Sequence, residues 1–509
     1  MAASEDMGSI KGELAGKHVL VTGGSGFMGK VLLEKLLRSC PDVGCIHVLL
    51  RPKKGVAAQD RIQTIINTPL FEPLLKKQPE AAGKLHAVVG DCSQLRLGLS
   101  DVDEAMLVDK VSYVFHAAAT VRFDDPLKEA LLLNTRGTRE VVDLCRRMKR
   151  LEVLQYVSTT YCFTNEAVLK EQHYPTELDW RTMVRLAETE DKYTLDCLTH
   201  KILGFQPNTY TFSKALAENV INDARHDVPV MIFRPAVVIS SCKEPFPGWL
   251  DNLYGPFGIW AGAMKGVLRF SYGNPNVALS FSPVDWAIRG MIVCAVAKAK
   301  KISVLKRQDE DSVDVVNMEG SRYERKTYKD QERQLADLVT YAVNPVRYPS
   351  YHIGTSYAYY WLGTVLSELP YGLVIDTLLR LTGQKPRMIA MYRKIFHANA
   401  ALAYFMHNEF PIETKKCDVL HGFIDPTERP DFGIVLEDKL SCFDYDAEEF
   451  PILVIQGAFK YVFKEEAPKA QRVSLLRKLY ILEMSFYVMW AVVLYFTFGR
   501  YYIGRLFAS

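Results

Sequence analysis

Short, almost wholly apolar runs alternate with stretches of helical period along the first 300 residues. Strands covered by helices on both faces lose the in–out alternation and become continuously apolar. Regular alternation of strand and helix is typical of a parallel α/β sheet. The pattern predicts a Rossmann-type doubly wound parallel sheet in a domain of residues 1–300, with strands at His18–Thr22, Ile46–Leu50, Leu85–Gly90, Val111–Phe115, Val153–Ser158 and Val230–Phe233.

The pattern changes after residue 300. The segment from Lys306 to Gln334 is dense in charges of both signs, which indicates a solvated insertion, and we predict a linker over residues 301–345. Residues 346–465 are mostly helical in pattern and rich in aromatic residues, so we predict a mainly helical C-terminal domain there. Its apolar run from Tyr357 to Leu381 is typical of core packing, and the wall of an acyl tunnel is the alternative.

The last apolar stretch, Met484 to Gly504, contains a single charged residue, Arg500. A bilayer-spanning helix needs about 20 apolar residues, so residues 484–504 are predicted as a transmembrane or membrane-associated helix. Basic residues precede it, and by the positive-inside rule they place the catalytic part in the cytosol, at the surface of the endoplasmic reticulum, lipid droplets or peroxisomes. The alternative is a terminal helix packed on the protein. The basic residues are Arg472, Arg477 and Lys478.

Three glycines in a G-x-x-G-x-x-G spacing follow the first predicted strand and open a helix. Such glycines allow a tight turn and close approach of a pyrophosphate, which the N–H groups and partial positive charge of the helix N-terminus then bind. The strand–turn–helix context makes this a dinucleotide site. The residues predicted to contact the cofactor here are Thr22, Gly23, Ser25, Gly26, Phe27, Met28 and Gly29.

The end of the second strand bears on the choice of cofactor. An acidic residue there would bind the ribose 2′-hydroxyl of NAD, whereas this chain has Arg51, Lys53 and Lys54, which suit a 2′-phosphate. We therefore predict NADPH as cofactor, with a solvated basic turn as the alternative. Asp91, after the third strand, is predicted to accept from the adenine amino group, and Ala117 to let the backbone lie close to the cofactor.

A tyrosine and a lysine four residues apart, Tyr210 and Lys214, share one helix face. The ammonium group is expected to lower the tyrosine pKa from its usual ~10 and to hold the nicotinamide ribose. The preceding strand ends in hydroxyl side chains that could stabilise an oxyanion, and we favour Thr159 over Ser158. Asn134 is predicted to support the site and the cofactor.

Charge and cysteine content exclude several other functions. The net charge is +3, from 62 basic and 59 acidic residues, so no nucleic-acid partner is expected. The ten cysteines show no C-x-x-C pair or zinc spacing, and no signal peptide precedes them. We expect reduced thiols, no metal site and no cysteine nucleophile, although Cys162 lies close to the catalytic motif. The sequence does not determine the oligomeric state.

These motifs resemble the extended short-chain dehydrogenase/reductase superfamily over roughly residues 15 to 300. Four further stretches resemble eukaryotic fatty acyl-CoA reductases, and the hydrophobic C-terminus is most similar to the animal, particularly insect, members. The stretches are the glycine turn with VLLRPKKG, YVSTTYC, EPFPGWLDNLYGP (Glu244 to Pro256), and Leu369 to Ile395, which resembles the start of their C-terminal male-sterility domain.

The resemblance implies reduction of a long-chain acyl-CoA by two NADPH to a primary alcohol and CoA, through an aldehyde, with Thr159 and Tyr210 stabilising the oxyanion. The membrane segment suits a lipid-soluble product. Two alternative functions stay open at this point. One is a membrane-bound steroid or sterol dehydrogenase of the same superfamily, and the other is a catalytically silent acyl-CoA-binding membrane protein.

Overall fold

The computed structural model describes residues 7–52, 55–302, 312–320, 325–435 and 449–496, with the side chain of residue 449 excepted. The chain forms two compact units built from interleaved segments. Unit 1 comprises Met1–Asp251, Leu279–Arg325 and Glu409–Phe450, and unit 2 comprises Asn252–Ala278, Lys326–Asn408 and Pro451–Ser509. Residues 409–450, which the sequence pattern assigned to the C-terminal domain, thus belong by their contacts to unit 1. The contiguous domain limits stay a prediction.

The strands form one large and two small parallel sheets. They are β1 His18–Thr22, β2 Cys45–Leu50, β3 Leu85–Val89, β4 Val111–His116, β5 Val153–Val157, β6 Val230–Pro235, β7 Val237–Ile239, β8 Phe270–Tyr272, β9 Phe281–Pro283, β10 Asp314–Met318 and β11 His352–Gly354. The large sheet has the order β10-β6-β5-β4-β1-β2-β3, while β7 pairs with β9 and β8 with β11.

The α-helices vary in length from one turn to seven. In chain order they are α1 Ile10–Leu14, α2 Phe27–Ser39, α3 Ala58–Ile66, α4 Glu72–Lys77, α5 Asp101–Lys110, α6 Leu127–Ala130, α7 Gly137–Cys145, α8 Trp180–Thr189, α9 Lys192–Leu203, α10 Thr209–Asp223, α11 Pro256–Met264, α12 Val284–Ala299, α13 Tyr328–Asp337, α14 Tyr357–Gly363, α15 Leu369–Leu381, α16 Met388–His407, α17 Lys415–Gly422, α18 Arg429–Phe432, α19 Glu449–Gly457 and α20 Lys469–Leu494.

The large sheet confirms the predicted doubly wound fold. All six predicted strands are present, and every neighbouring pair is parallel. Chain order runs outward from β1 to β3 and then returns to β4 on the other side of β1, so the topological switch point lies between β1 and β4. Ligands of open α/β sheets bind at the carboxyl ends of the strands at this point.

Helices cover both faces of the large sheet, which explains why its central strands are mostly apolar. Leu154 and Tyr156 of β5 pack in a buried cluster with Val141 of α7 and Val220 of α10. Alternate residues of a strand point to opposite faces. Gln155, between them, accordingly donates from Nε2 to the main-chain oxygen of Met291 in α12, 3.0 Å away.

The structure corrects the prediction of a solvated insertion for part of the charge-dense segment. Asp314–Met318 is β10, the edge strand of the large sheet, paired with β6 and buried from Val315 to Met318. Because its neighbours in the sequence are charged, this five-residue strand was not predicted. Its apolar side chains are buried in the sheet.

The prediction of core packing for the run from Tyr357 to Leu381 is wrong for much of its surface. The run is helical throughout, with α14 and α15 joined by a π-helical turn at Thr364–Glu368. Of its most apolar 18-residue window, 28% is buried, and within the described residues this is the helix long and apolar enough to cross a membrane by length and composition. The predicted anchor is described only to Phe496, and residues 497–504 lie outside the described part.

Candidate active site

The glycine turn lies at the carboxyl end of β1, beside the switch point. Gly23 has φ +75°, and a Cβ there would meet the backbone nitrogen of Ala118 at 2.7 Å. A Cβ on Gly29 would lie 2.2 Å from the main-chain oxygen of Gly23. A side chain at either position would push the turn away from β4 or from α2, so both glycines are needed for the close packing seen here.

The first turn of α2 offers an anion site. Gly26 is the N-cap, and it has no side chain that could accept from the first N–H groups of the helix. Ser25 and Gly26 are exposed, while Phe27 and Met28 are half-buried. Free N–H groups and the positive end of the helix dipole at an exposed turn fit the pyrophosphate of a dinucleotide.

A buried histidine that the sequence reasoning missed ties the turn to β4. The Nδ1 atom of His116 lies 2.7 Å from Oγ1 of Thr22, and its Nε2 lies 3.1 Å from Oγ1 of Thr138. Thr22 also accepts from the backbone N–H of Ala118 at 3.2 Å. Desolvation lowers the pKa of His116 to about 3, so the ring is neutral and structural.

The predicted adenosine-binding residues are only partly described. Arg51 is exposed just beyond β2, whereas Lys53 and Lys54 lie outside the described residues. Asp91 follows β3 and accepts at Oδ1 from the N–H and hydroxyl of Ser93, both at 2.9 Å. The backbone of Ala117 lies against Gly23, where a Cβ would meet the carbonyl carbon and oxygen of Ala117 at 2.8 Å. Their contacts with a nucleotide stay a prediction.

Helix α10 positions the predicted catalytic pair. Asn208 caps it by accepting from the N–H of Thr211 at 2.9 Å. One turn further, Lys214 is 2% exposed, donates from Nζ to the main-chain oxygen of Val157 at 2.5 Å, and lies 4.2 Å above the ring of Tyr156. Burial lowers the pKa of Lys214 to about 8. The carboxyl end of β5 therefore holds the ammonium group.

The phenol of Tyr210 neighbours the hydroxyl of Thr159, just after β5, and its ring stacks on Phe123 with centroids 5.9 Å apart. The structure does not bear out the expected lowering of the tyrosine pKa. Desolvation raises the pKa of Tyr210 instead, while the ammonium of Lys214 is directed to Val157. A phenol with a raised pKa stays protonated, which suits a proton donor.

The two candidate hydroxyl groups just after β5, those of Ser158 and Thr159, differ in the groups that they contact. The hydroxyl of Ser158 donates to Oε1 of Glu218 at 2.5 Å and lies 3.2 Å from the sulfur of Cys162. It is therefore committed to a buried carboxylate, which argues against Ser158 as a catalytic group. Thr159, the neighbour of Tyr210, remains the candidate.

A buried ion pair beneath the site was missed by the sequence reasoning. Glu218 and Arg234 are fully buried, and the guanidinium binds both carboxylate oxygens. The available signs were an arginine inside the otherwise apolar strand β6 and a glutamate four residues after Lys214. Since Glu218 also accepts from Ser158, the pair joins α10, β5 and β6.

Asn134 supports the site through protein contacts. It lies in the π-helical turn Leu131–Arg136, and its Oδ1 accepts from the N–H of Thr120 at 2.9 Å. Its Nδ2 donates to Oγ of Ser213 on α10 at 2.9 Å. These bonds make it a positioning residue, and direct contact with a cofactor stays a prediction.

Neither cysteine nor metal chemistry is favoured by the described residues. Burial raises the pKa of Cys162 to about 12, so this thiol is not a nucleophile. One group of possible metal ligands, His18, Cys45 and His47, lies at the start of β1 and β2, at the opposite end of the strands from the glycine turn. Positive charges of Lys110 and Arg150 act on His18, which disfavours a cation there.

The doubly wound sheet, the glycine turn at its switch point and the helix bearing Tyr210 and Lys214 define an extended-type short-chain dehydrogenase/reductase. Two family models described as male sterility protein match the chain, an NAD-binding model over residues 21–291 and a second model over residues 368–465. Fatty acyl-CoA reductases of animals are 32–35% identical to it over most of the chain. The chain therefore belongs to the fatty acyl-CoA reductase family, and it is an oxidoreductase that binds a nicotinamide cofactor.

Curated relatives extend over most of the chain. Fatty acyl-CoA reductase 1 of Rattus norvegicus is 35% identical over 467 residues, which is 90% of this chain and 87% of the relative. Fatty acyl-CoA reductase wat of Drosophila melanogaster is 35% identical over 428 residues, covering 83% and 80%. Similarity of this extent includes both units.

Solved structures show the same fold at low identity. The terminal R domain from the myxalamid PKS-NRPS biosynthetic pathway superposes with a TM-score of 0.57 at 18% identity, covering 89% of this chain and 93% of that one. The reductase domain of a non-ribosomal peptide synthetase from Mycobacterium tuberculosis gives a TM-score of 0.55 at 17% identity, covering 90% and 96%.

Proposed function

We propose that the protein reduces a long-chain fatty acyl-CoA to a primary alcohol, with NADPH as the reductant. In balance, one acyl-CoA, two NADPH and two protons give one alcohol, one CoA and two NADP⁺. The observation that carries the proposal is the placement of the neighbouring hydroxyls of Thr159 and Tyr210 beside buried Lys214, in a chain similar along its length to fatty acyl-CoA reductases.

The two hydroxyls provide donors for a carbonyl oxygen. Bound between Thr159 and Tyr210, a thioester carbonyl would be polarised, and the oxyanion formed on reduction would be stabilised. The raised pKa of Tyr210 keeps its proton available for transfer to that oxygen. Collapse of the resulting thiohemiacetal breaks the C–S bond, CoA leaves, and the aldehyde presents a new carbonyl to the same two donors.

The cofactor would be held by the glycine turn and the first turn of α2, and when bound it supplies the hydride for each reduction. Lys214 would hold the ribose through its ammonium group. The preference for NADPH rests on the exposed guanidinium of Arg51 beyond β2, where a 2′-phosphate would find a charge-assisted partner. Lys53 and Lys54 are proposed to contribute as well.

Membrane attachment is proposed for Met484 to Gly504. Helix α20 enters this segment, and its large apolar side chains Val488, Met489 and Val492 are exposed. Basic residues at the start of α20, Arg472, Arg477 and Lys478, favour a cytosolic catalytic part. An alcohol product that partitions into lipid is consistent with this placement.

The deciding experiment measures oxidation of NADPH by the purified full-length protein with palmitoyl-CoA and, in parallel, with a steroid ketone. We expect hexadecanol and free CoA in a ratio of one NADPH pair per alcohol, and no steroid product. Reduction of the steroid alone would identify the steroid dehydrogenase alternative. Acyl-CoA binding without NADPH oxidation would identify a silent binding protein.

A further inference from the structure

Helices α14 and α15 of unit 2 carry a surface of large apolar side chains, here named the apolar ridge. Each member is between 39% and 79% exposed within the described part of the chain. Isolated exposed apolar residues are common on soluble proteins, whereas a contiguous group marks an interaction surface. The members are Tyr357, Tyr359, Trp361, Leu362, Leu366, Leu369, Leu373, Val374, Leu378 and Leu381.

The ridge has the spacing of a helix side. Leu369 and Leu373 are four residues apart in α15, so they lie along one line of the helix surface. Val374, Leu378 and Leu381 follow by four and three residues and form a parallel line. Two adjacent lines of aliphatic side chains make a broad apolar strip, not a narrow seam for one partner helix.

Other residues of the same run are bound within unit 2. The hydroxyl of Tyr371 donates to the main-chain oxygen of Val346 at 2.9 Å, and Nη1 of Arg347 donates to the oxygen of Ser367 at 3.0 Å. Glu368 is buried and accepts from the N–H of Arg269 at 3.1 Å. Part of this run is packed on unit 2 through buried polar groups and hydrogen bonds. Lipid therefore cannot surround it, so these residues cannot form a span.

In the chain segment that begins at α15 and ends after α16, the exposed charged side chains are all positive. From residue 369 to residue 408 the chain contains five lysines and arginines and one acidic residue, Asp376. Asp376 is buried and accepts from the N–H groups of Met388 and Ile389 at 2.8 and 3.0 Å, so it caps α16. The five cations are all exposed, and they are Arg380, Lys385, Arg387, Arg393 and Lys394.

An apolar strip beside exposed cations, with Tyr357, Tyr359 and Trp361 at its start, matches the chemistry of an anionic bilayer surface. Aliphatic side chains enter the acyl boundary, cations meet lipid phosphates, and aromatic side chains favour the headgroup level. We propose that the apolar ridge lies in the plane of an anionic membrane leaflet as a second membrane contact, separate from the C-terminal segment. This proposal goes beyond the proposed function and does not depend on it.

The test places a benzophenone photocrosslinking amino acid in the full-length protein, bound to vesicles of phosphatidylcholine with phosphatidylserine. Leu373 and Leu378 report on the ridge. Tyr193, a residue of α9 in unit 1 that is still more exposed than Leu373 and Leu378, is the negative control, and Val488 reports on the C-terminal segment. Illumination should attach lipid at Leu373 and Leu378 but not at Tyr193.

Each other product overturns the proposal. A crosslinked dimer at Leu373 would mean that a second copy covers the ridge, and a crosslink within one chain would mean that the chain's own residues cover it. Lipid at Val488 without lipid at Leu373 would leave the C-terminal anchor standing while removing the ridge from the membrane. Absence of any adduct at the ridge would show that it faces water.

A charge variant tests the role of the cations. Lys385→Gln with Arg387→Gln should reduce the lipid adduct at Leu373 on anionic vesicles, by roughly five-fold for each cation that meets the surface. Lys76→Gln with Lys77→Gln, two exposed lysines of α4 in unit 1, is the matched control and should leave the yield unchanged. An equal effect of both pairs, or no effect of the first, would remove charge from the recognition and overturn the assignment to an anionic leaflet.

Discussion

At the scale of single residues, burial decides the chemistry of the catalytic groups. Water is withdrawn from Tyr210 and Lys214 alike, and desolvation disfavours the charged form of each. The phenol therefore keeps its proton, and the lysine loses its proton more readily than in water. A protonated phenol can donate its proton in the proposed reduction. A lysine that is charged below about pH 8 can hold the cofactor in that pH range.

Tyr210→Phe should leave cofactor binding unchanged and reduce turnover by ~10²–10⁴-fold. The ring and its stacking on Phe123 are kept, and only the phenol hydroxyl that neighbours Thr159 is lost. Single-turnover NADPH oxidation and cofactor fluorescence measure the two effects. Turnover similar to that of the wild type would exclude Tyr210 as the donor.

Thr159→Val should reduce turnover strongly, because it removes a hydroxyl that borders Tyr210 and nearly preserves the side-chain shape. The loss expected for one oxyanion donor is ~10²–10³-fold. Ser158→Ala is the matched variant, and it should change stability more than turnover, because its hydroxyl faces Glu218. The opposite ranking in kcat would assign the oxyanion to Ser158.

Cofactor affinity should decline as the pH rises above about 8, where the buried ammonium of Lys214 loses its charge. The folded-state pKa lies below the usual lysine value, so the charged form is complete only at lower pH. Lys214→Arg should abolish the inflection, since a guanidinium stays protonated throughout this range. Titration of NADPH fluorescence between pH 6 and 10 checks this. An inflection unchanged in the arginine variant would assign it to another group.

At the scale of elements, the ion pair of Glu218 and Arg234 fixes α10 against β5 and β6. Charges buried this deeply contribute little net stability as a pair, but either one alone is costly. Its position one helical turn beyond Lys214 means that displacement of α10 would also displace the catalytic residues.

Glu218→Gln should destabilise the protein by about 3–5 kcal/mol, because it leaves the guanidinium of Arg234 buried without a counter-charge. Urea denaturation measures the change. Asp109→Asn, which removes an exposed partner of Lys149, is the control and should change stability by less than about 0.5 kcal/mol. A similar small change in both variants would contradict the assigned role of the buried pair.

At the scale of the whole molecule, α20 serves two purposes along its length. Its first part is bound in unit 2 by Glu483, which is 3% exposed and contacts Arg347 through both carboxylate oxygens, at 2.6 and 2.7 Å. Phe486 packs against Tyr371 in the same unit. Glu483 and Phe486 therefore hold α20 to unit 2, while Met484, Val488 and Val492 of the proposed anchor are exposed on the same helix.

Deletion of residues 497–509 should abolish resistance to alkaline carbonate extraction and leave the protein folded. The apolar remainder, residues 484–496, is too short for a bilayer core that needs about 20 residues. Deletion from Arg477 onward should in addition unfold unit 2, because Arg347 would lose Glu483. Carbonate extraction and limited proteolysis distinguish the two deletions. Full-length protein released by carbonate would remove the anchor from the proposal.

The sequence by itself determined the doubly wound sheet, the glycine turn and the positions of Tyr210 and Lys214. These depend on local pattern: an apolar strand between helices, glycines at a fixed spacing, and two side chains one helical turn apart. Five residues of β10 escaped because their flanking charges outweighed a short apolar run. For Lys53 and Lys54, the sequence predicts that their positive charge suits a 2′-phosphate, but it does not predict which groups these residues contact.

Only the tertiary structure revealed the ion pair of Glu218 and Arg234, showed that Ser158 donates to Glu218, and raised the pKa of Tyr210 where the sequence predicted a lowering. Each outcome depends on which groups from distant segments are brought together and how much water they lose, and neither quantity has a local sequence pattern. The same holds for the apolar ridge, since an apolar helix that lines a core and one that faces outward have the same composition. The environment that the helix surface meets in the folded protein determines which of the two cases applies.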